Sequence, residues 1–169
     1  MKLAVICFLA FSLSVSAQTT FGRRAPGFSL TDMQDKQHDM QDYRGKVVLV
    51  DFMRTDCPKC KIATGVLEQV KAKYGDKVQV LTIVPLNGVD NPQTVSRYIA
   101  ENKVTSPMMF DCGQVTASYL QITPKNPQAH FPHVTVVDKN GMIRREMTET
   151  TQGGVTLDSM SATIDPLLK

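Results

Sequence analysis

The feature that most constrains the fold is a Cys-Pro-Lys-Cys motif placed between an apolar run and an amphipathic segment. Residues 46–53 are almost continuously apolar, which is typical of a strand buried on both faces. After the motif, apolar residues recur at helical spacing as far as Tyr74, and Gly75 predicts the end of the helix. Unpaired N–H groups and the helix dipole favour an anion at such a helix start, so Cys57 is expected to form a thiolate readily. The position of the motif therefore predicts a redox-active pair, Cys57 and Cys60.

Strand and helix patterns alternate along the rest of the chain. The turn Lys139-Asn140-Gly141 predicts a hairpin, and Asn91 followed by Pro92 predicts a capped helix start. The predicted elements, in chain order, are strand 46–53, helix 60–74, strand 78–84, helix 92–102, strand 108–110, helix 115–120, hairpin strands 134–138 and 142–147, and a helix from Thr156 to about Leu168, weakened by Pro166. This order predicts an α/β fold with a mixed central sheet and helices on both faces.

Composition narrows the class of protein. A chain of 169 residues with 42% hydrophobic and 21% charged residues is of ordinary globular composition and forms one domain with a sizeable core. The 19 Lys and Arg and 16 Asp and Glu are scattered without a basic run, so a nucleic-acid partner is not expected. We expect no bound cofactor and no resident metal.

The first segment has the pattern of a secretory signal peptide, residues 1–17. Lys2 precedes an uncharged apolar run, and Val15-Ser16-Ala17 forms a small-residue cleavage site. The run is shorter than the roughly 20 apolar residues that span a bilayer, although retention of the segment as an anchor stays open. Cleavage would release a domain of residues 18–169, secreted across the inner membrane to the periplasm, with no stable membrane span.

Asp51 is the second candidate site residue. It lies inside the apolar run, where an unpaired carboxylate is costly unless it is protonated or hydrogen-bonded. Burial raises the pKa of such a carboxyl, which equips it to exchange a proton near neutral pH. Cys60 is the expected partner, because a buried thiol must lose its proton to attack a disulfide at Cys57. The alternative is an aspartate at a strand edge that faces solvent.

The cysteine pattern leaves several alternatives. A zinc site would need further ligands at short spacing, which are absent, and a disulfide that closes so short a loop stabilises little. Cys112 would be the third cysteine of a cleaved chain. It is expected to be a small buried hydrophobic residue, and the alternatives are a second resolving thiol or a dimer cross-link.

Several segments together resemble the TlpA/ResA group of extracytoplasmic thioredoxin-like proteins and the broader AhpC/TSA-redoxin superfamily. They are the Cys-Pro-Lys-Cys motif and residues 25–30 (APGFSL), 43–52 (YRGKVVLVDF) and 136–141 (VVDKNG). The resemblance implies a thioredoxin-like fold with an α/β insertion between Val84 and Phe110. It also implies a thiol-disulfide oxidoreductase that acts as a reductant.

The resemblance further implies roles for individual residues. Cys57 would be the nucleophile, Cys60 the resolving cysteine and Asp51 the buried acidic residue. Phe131-Pro132 matches the family's cis-proline, whose preceding residue pairs through its backbone with a substrate peptide. The implied partners are protein or small-molecule disulfide substrates and an upstream thiol-disulfide reductant.

The chain departs from the family pattern next to the motif. Asp56 replaces the usual tryptophan, and its negative charge is expected to offset part of the effect of Lys59 on the Cys57 thiolate.

The alternatives to disulfide exchange are the functions of a peroxiredoxin and of a copper chaperone. A peroxiredoxin would carry proline and threonine at the positions occupied by Val50 and Arg54, and Thr55 is one place off. A copper chaperone would bind Cu(I) through Cys57, Cys60 and a histidine such as His130 or His133, but that family uses a Cys-x-x-x-Cys motif.

Overall fold

The computed structural model describes residues 22–169. The predicted signal peptide, residues 1–17, lies outside the described part of the chain, so its cleavage stays a prediction. Within residues 22–169 no helix is long and apolar enough to cross a membrane.

A five-stranded mixed sheet forms the centre of the domain. Its strands are β3 (Val47–Phe52), β4 (Val78–Pro85), β5 (Met108–Asp111), β6 (His133–Val137) and β7 (Ile143–Thr148), in the spatial order β5-β4-β3-β6-β7. The first three run parallel to one another, whereas β6 is antiparallel to β3 and β7 to β6. Every residue of β3 is buried, as its continuous apolar sequence predicts for a central strand.

Helices pack on both faces of this sheet, which confirms the predicted α/β class. They are α1 (Pro58–Tyr74), α2 (Pro92–Asn102), α3 (Gln114–Leu120) and α4 (Leu157–Ile164). Val47 and Leu49 of β3 pack in the cluster that holds residues of α1 and α4, whereas Phe52 packs with Tyr119 of α3 on the opposite face. The predicted α/β insertion between Val84 and Phe110 contains α2 and β5.

Element boundaries differ from the sequence prediction in two helices. α1 begins at Pro58 rather than Cys60, because proline at the first helical position has no N–H to leave unpaired. The last helix was predicted to reach about Leu168, but α4 ends at Ile164 and a 3₁₀ turn, Asp165–Leu167, follows. Pro166 accounts for this end, since its ring and missing N–H do not continue an α-helix.

The expected burial of Cys112 is wrong, because this cysteine is exposed. The buried position belongs to its neighbour Asp111, whose carboxylate accepts hydrogen bonds from the N–H groups of Val115 (3.1 Å) and Thr116 (2.7 Å). Asp111 thus supplies acceptors for the start of α3, and the chain turns outward at the next residue.

A small hairpin that sequence reasoning missed precedes the main sheet. Its strands, β1 (Ser29–Thr31) and β2 (Gln37–Asp39), flank a turn anchored by Asp32. Asp32 is buried; its Oδ2 lies 2.7 Å from Nε2 of His38, and Tyr43 hydrogen-bonds the other ring nitrogen of His38. Burial opposes ionisation of Asp32, but the hydrogen bonds from His38 and two backbone N–H groups hold its pKa below the usual value.

Replacing Asp32 with alanine is expected to destabilise the protein by about 1–3 kcal/mol, because it leaves buried His38 and two backbone donors without their acceptor. Urea denaturation at neutral pH measures the change. Gln34→Ala, in the same turn but exposed, is the matched control and should change stability little. Equal stability of the two variants would contradict this role for Asp32.

Candidate active site

The two motif cysteines lie at the start of α1, which follows β3 after a short loop. Cys57 is the N-cap residue of α1, and its Sγ accepts a hydrogen bond from the N–H of Cys60 at 3.1 Å. The two cysteines form a disulfide, with their Cα atoms 5.2 Å apart. Cys57 is partly exposed whereas Cys60 is fully buried, so an incoming substrate meets the sulfur of Cys57 first.

Asp90 fixes the loop before Cys57. Its Oδ1 accepts hydrogen bonds from the backbone N–H (3.1 Å) and the hydroxyl of Thr55, and its Oδ2 accepts one from Asn87 at 2.7 Å. Asp90 is buried, so these contacts are shielded from water. Sequence reasoning missed this residue, since nothing in its local pattern indicates a contact 35 positions away.

Asp51 is completely buried in the middle of the sheet, as predicted, and the solvent-facing alternative is wrong. It lies in register with Thr82 on one side and Val134 on the other. Alternation along the strand puts its side chain on the same face as Val47 and Leu49, which is the face that α1 covers. Neither carboxylate oxygen has a hydrogen-bond partner among the described residues. Burial raises the pKa of Asp51 to about 7, so this carboxyl can take up or release a proton near neutral pH.

A chain of hydroxyl groups connects α2 to the first turns of α1 behind Cys60. The hydroxyl of Tyr98 lies 2.9 Å from that of Thr64, and the Thr64 hydroxyl donates to the carbonyl oxygen of Cys60 at 3.0 Å. Burial raises the pKa of Tyr98, and the charge of Asp51 acts in the same direction. The predicted insertion therefore packs directly against the buried cysteine.

The loop before β6 lies beside Cys57, the more accessible of the two motif cysteines. Its Phe131-Pro132 peptide bond is cis, as the family resemblance implies. The carbonyl oxygen of Phe131 is 3.9 Å from Sγ of Cys57. Phe131 also packs against the cluster that contains Cys60. The fold thus brings this loop to the cysteine pair across 74 positions of sequence.

The two histidines next to this loop are not gathered with the cysteines. His130 is exposed, and His133 is partly buried at the start of β6. Burial is the main cause that lowers the pKa of His133. Within residues 22–169, no group of three or more His, Cys, Asp or Glu side chains is arranged to hold a metal ion. The arrangement gives no support to a copper site built from Cys57, Cys60 and a histidine.

Two ion pairs lie at the motif, one just before Cys57 and one that involves Lys59 between the two cysteines. Arg54 binds Asp56 through two contacts, Nε to Oδ1 at 3.0 Å and Nη2 to Oδ2 at 2.6 Å. Lys59 pairs with Glu149 of the loop after β7. The charges of Asp56 and Lys59 are therefore each paired with another residue, and the expectation that their effects on the Cys57 thiolate partly offset one another stays a prediction.

Comparison with known proteins places this arrangement in a wider group. ResA, a thiol-disulfide oxidoreductase of Geobacillus kaustophilus, is 25% identical over 159 residues, which cover 89% of this chain and 87% of that protein. The thioredoxin-like protein YneN of Bacillus subtilis is 25% identical over 123 residues, which cover 73% of this chain and 68% of that protein.

Solved structures share the fold. A thiol:disulfide interchange protein of the thioredoxin family from Chlorobium tepidum superposes with a TM-score of 0.74 at 17% identity, covering 89% of this chain and 99% of that one. The thioredoxin domain of a thiol-disulfide oxidoreductase from Bacteroides vulgatus gives a TM-score of 0.70 at 20% identity, covering 90% and 100%. The predicted thioredoxin-like fold is therefore confirmed. The AhpC/TSA family model matches residues 21–146, most of the sequence, and the chain belongs to the AhpC/TSA family.

Proposed function

We propose that the protein is a thiol-disulfide oxidoreductase that reduces disulfides through Cys57 and Cys60. The observation that carries the proposal is the asymmetry of the pair: Cys57 is accessible at the start of α1, and Cys60 is buried directly behind it. A cysteine at a helix start is a good nucleophile, and the buried one is protected until a mixed disulfide has formed.

Reduction of a substrate disulfide takes two thiol-disulfide exchange steps. The Cys57 thiolate attacks one sulfur of a substrate disulfide, forms a mixed disulfide and releases the other substrate sulfur as a thiolate. The Cys60 thiolate then attacks Sγ of Cys57, closes the Cys57–Cys60 disulfide and releases the second substrate sulfur. The substrate gains two electrons and two protons, and the protein loses them.

Asp51 and the Phe131-Pro132 loop support these steps in our proposal. Asp51 accepts the proton of Cys60 as that thiol becomes a nucleophile, which suits a carboxyl whose pKa is about 7. The backbone of Phe131, next to Sγ of Cys57, pairs with the substrate chain and holds its disulfide in line.

The same proposal assigns location and partners. The apolar leader of residues 1–17 supports secretion to the periplasm. Each turnover leaves the pair oxidised, so a thiol-disulfide reductant must restore the dithiol. ResA, named as a thiol-disulfide oxidoreductase, supports disulfides as the substrate class.

A redox titration of the protein carrying Cys112→Ser tests the function directly. Equilibration in glutathione and dithiothreitol buffers should give one two-electron transition at about −220 mV or lower, within the range of reducing thioredoxin-fold proteins. A transition near about −120 mV would make the protein an oxidant rather than a reductant. No transition at all would end the proposal.

A further inference from the structure

Glu149 is a charged residue beside the cysteine pair that the mechanism above does not use. Its carboxylate pairs with Lys59, which lies between the two cysteines in the first turn of α1. From this contact we propose that Glu149 is a positioning residue that holds the Lys59 ammonium and keeps the Cys57–Cys60 pair reducing. The inference rests on the proposed function and identifies what tunes that same site.

Hydrogen bonds in the turn after β7 hold the backbone of Glu149 in place. The N–H of Thr148 donates to the hydroxyl of Thr151 at 2.8 Å, and the N–H of Thr151 donates back to the carbonyl of Thr148 at 3.1 Å. A second turn follows, in which the N–H of Gly154 donates to the carbonyl of Thr151 at 2.7 Å. Glu149 lies inside the first of these linked turns, so its backbone is held in place rather than free to drift from the motif.

The charges of Lys59 and Glu149 determine whether the cysteine pair becomes more oxidising or more reducing. A cation near Cys57 stabilises the thiolate, and anything that stabilises the reduced form makes a cysteine pair more oxidising. Glu149 opposes this effect of Lys59, both by pairing with the ammonium and by its own negative charge. On the other side of Cys57, Arg54 and Asp56 already cancel each other. Lys59 differs from that pair because it lies between the two cysteines, so the partner that holds its ammonium affects the charge next to the disulfide.

Glu149→Gln, Lys59→Met and the double variant test the proposal by equilibration with glutathione at low ionic strength. Glu149→Gln should shift the equilibrium toward the reduced protein by about two- to fivefold, as expected for a partly exposed ion pair. Lys59→Met should shift it the opposite way. In the Lys59→Met background, adding Glu149→Gln should change the equilibrium by less than half as much, because the ammonium it acts through is gone.

Three controls separate this effect from general damage. Glu149→Asp keeps the charge and should stay close to the wild type. Glu101→Gln removes the same charge from an exposed position of α2 and should leave the equilibrium unchanged. In about 1 M salt, where charges are screened beyond roughly 3 Å, the Glu149→Gln shift should shrink.

Two results would overturn the inference: no shift in Glu149→Gln at low ionic strength, or an equal shift with and without Lys59. Either result leaves the proposed function intact if the wild-type pair still titrates. If the wild-type pair does not titrate, the proposed function fails, whatever Glu149 does.

Discussion

Cys57→Ser is expected to reduce disulfide exchange to the rate of the uncatalysed reaction. A serine hydroxyl at the start of α1 stays protonated at neutral pH, so no nucleophile meets the substrate sulfur. Reduction of a disulfide-linked fluorogenic peptide, with dithiothreitol as electron donor, measures the loss. Cys112→Ser is the matched control, since it removes an exposed thiol that lies outside the pair and should keep full activity.

Cys60→Ser separates the two exchanges. Cys57 still attacks, but no buried thiol resolves the product, so a covalent complex with substrate should accumulate and disappear on reduction. Non-reducing mass spectrometry detects it. Full activity in Cys57→Ser, or a Cys57–Cys112 linkage in the wild-type protein, would refute the assigned roles.

Asp51→Asn is expected to slow the resolving step by about a hundredfold, the scale of a lost proton acceptor. The rate of the wild type should rise through an inflection near pH 7, where Asp51 ionises, and the variant should lack that inflection. Stopped-flow measurement of mixed-disulfide decay across pH 5–9 gives the rate of the resolving step and its pH dependence in each protein. A variant with the wild-type rate and the same inflection would remove Asp51 from the mechanism.

The same substitution should make the protein more stable at alkaline pH. The pKa of Asp51 rises from 3.8 to about 7 on folding, so between these values the folded state holds a proton that the unfolded state has lost. Stability therefore falls as pH rises from about 4 to about 7, by about 4 kcal/mol in total at 1.36 kcal/mol per pKa unit. Asparagine does not ionise, so the variant should exceed the wild type by about that amount at pH 8 and match it near pH 3.

Denaturant midpoints at several pH values test this expectation. Identical pH dependence in the two proteins would mean that Asp51 is not the buried acid described here. If Asp51→Asn lowers activity and raises stability, Asp51 is a group retained for chemistry at a cost to the stability of the fold.

The parts of the molecule that could be predicted from sequence depend on local patterns. The apolar run of β3 and the Asn-Gly turn each specify their structure within a few residues. The cysteine pair and Asp51 were predicted as site residues because a Cys-x-x-Cys motif at a helix start and a carboxylate inside an apolar run are visible in the local sequence. Phe131-Pro132 was found through family resemblance alone, since nothing local distinguishes a cis proline.

The features that could not be predicted depend on contacts between distant segments. Asp90 and Glu149 stand in loops, and their contacts with Thr55 and Lys59 arise only when folding brings these distant residues together. The β1–β2 hairpin has strands of three residues with little apolar character, too short for a periodic signal. Its position is set by the buried contact between His38 on β2 and Asp32 in the turn that follows β1.

The segment before β3 also pairs with part of both outer edges of the sheet. Met33 donates its N–H to Met108 of β5 at 3.1 Å. On the far side, the carbonyl of Arg23 accepts from Ile143 of β7 at 2.9 Å. An uncovered strand edge is a template for pairing with another extended chain, the first step of aggregation. Because this segment occupies part of each outer edge, fewer backbone groups of β5 and β7 are left to pair with another extended chain.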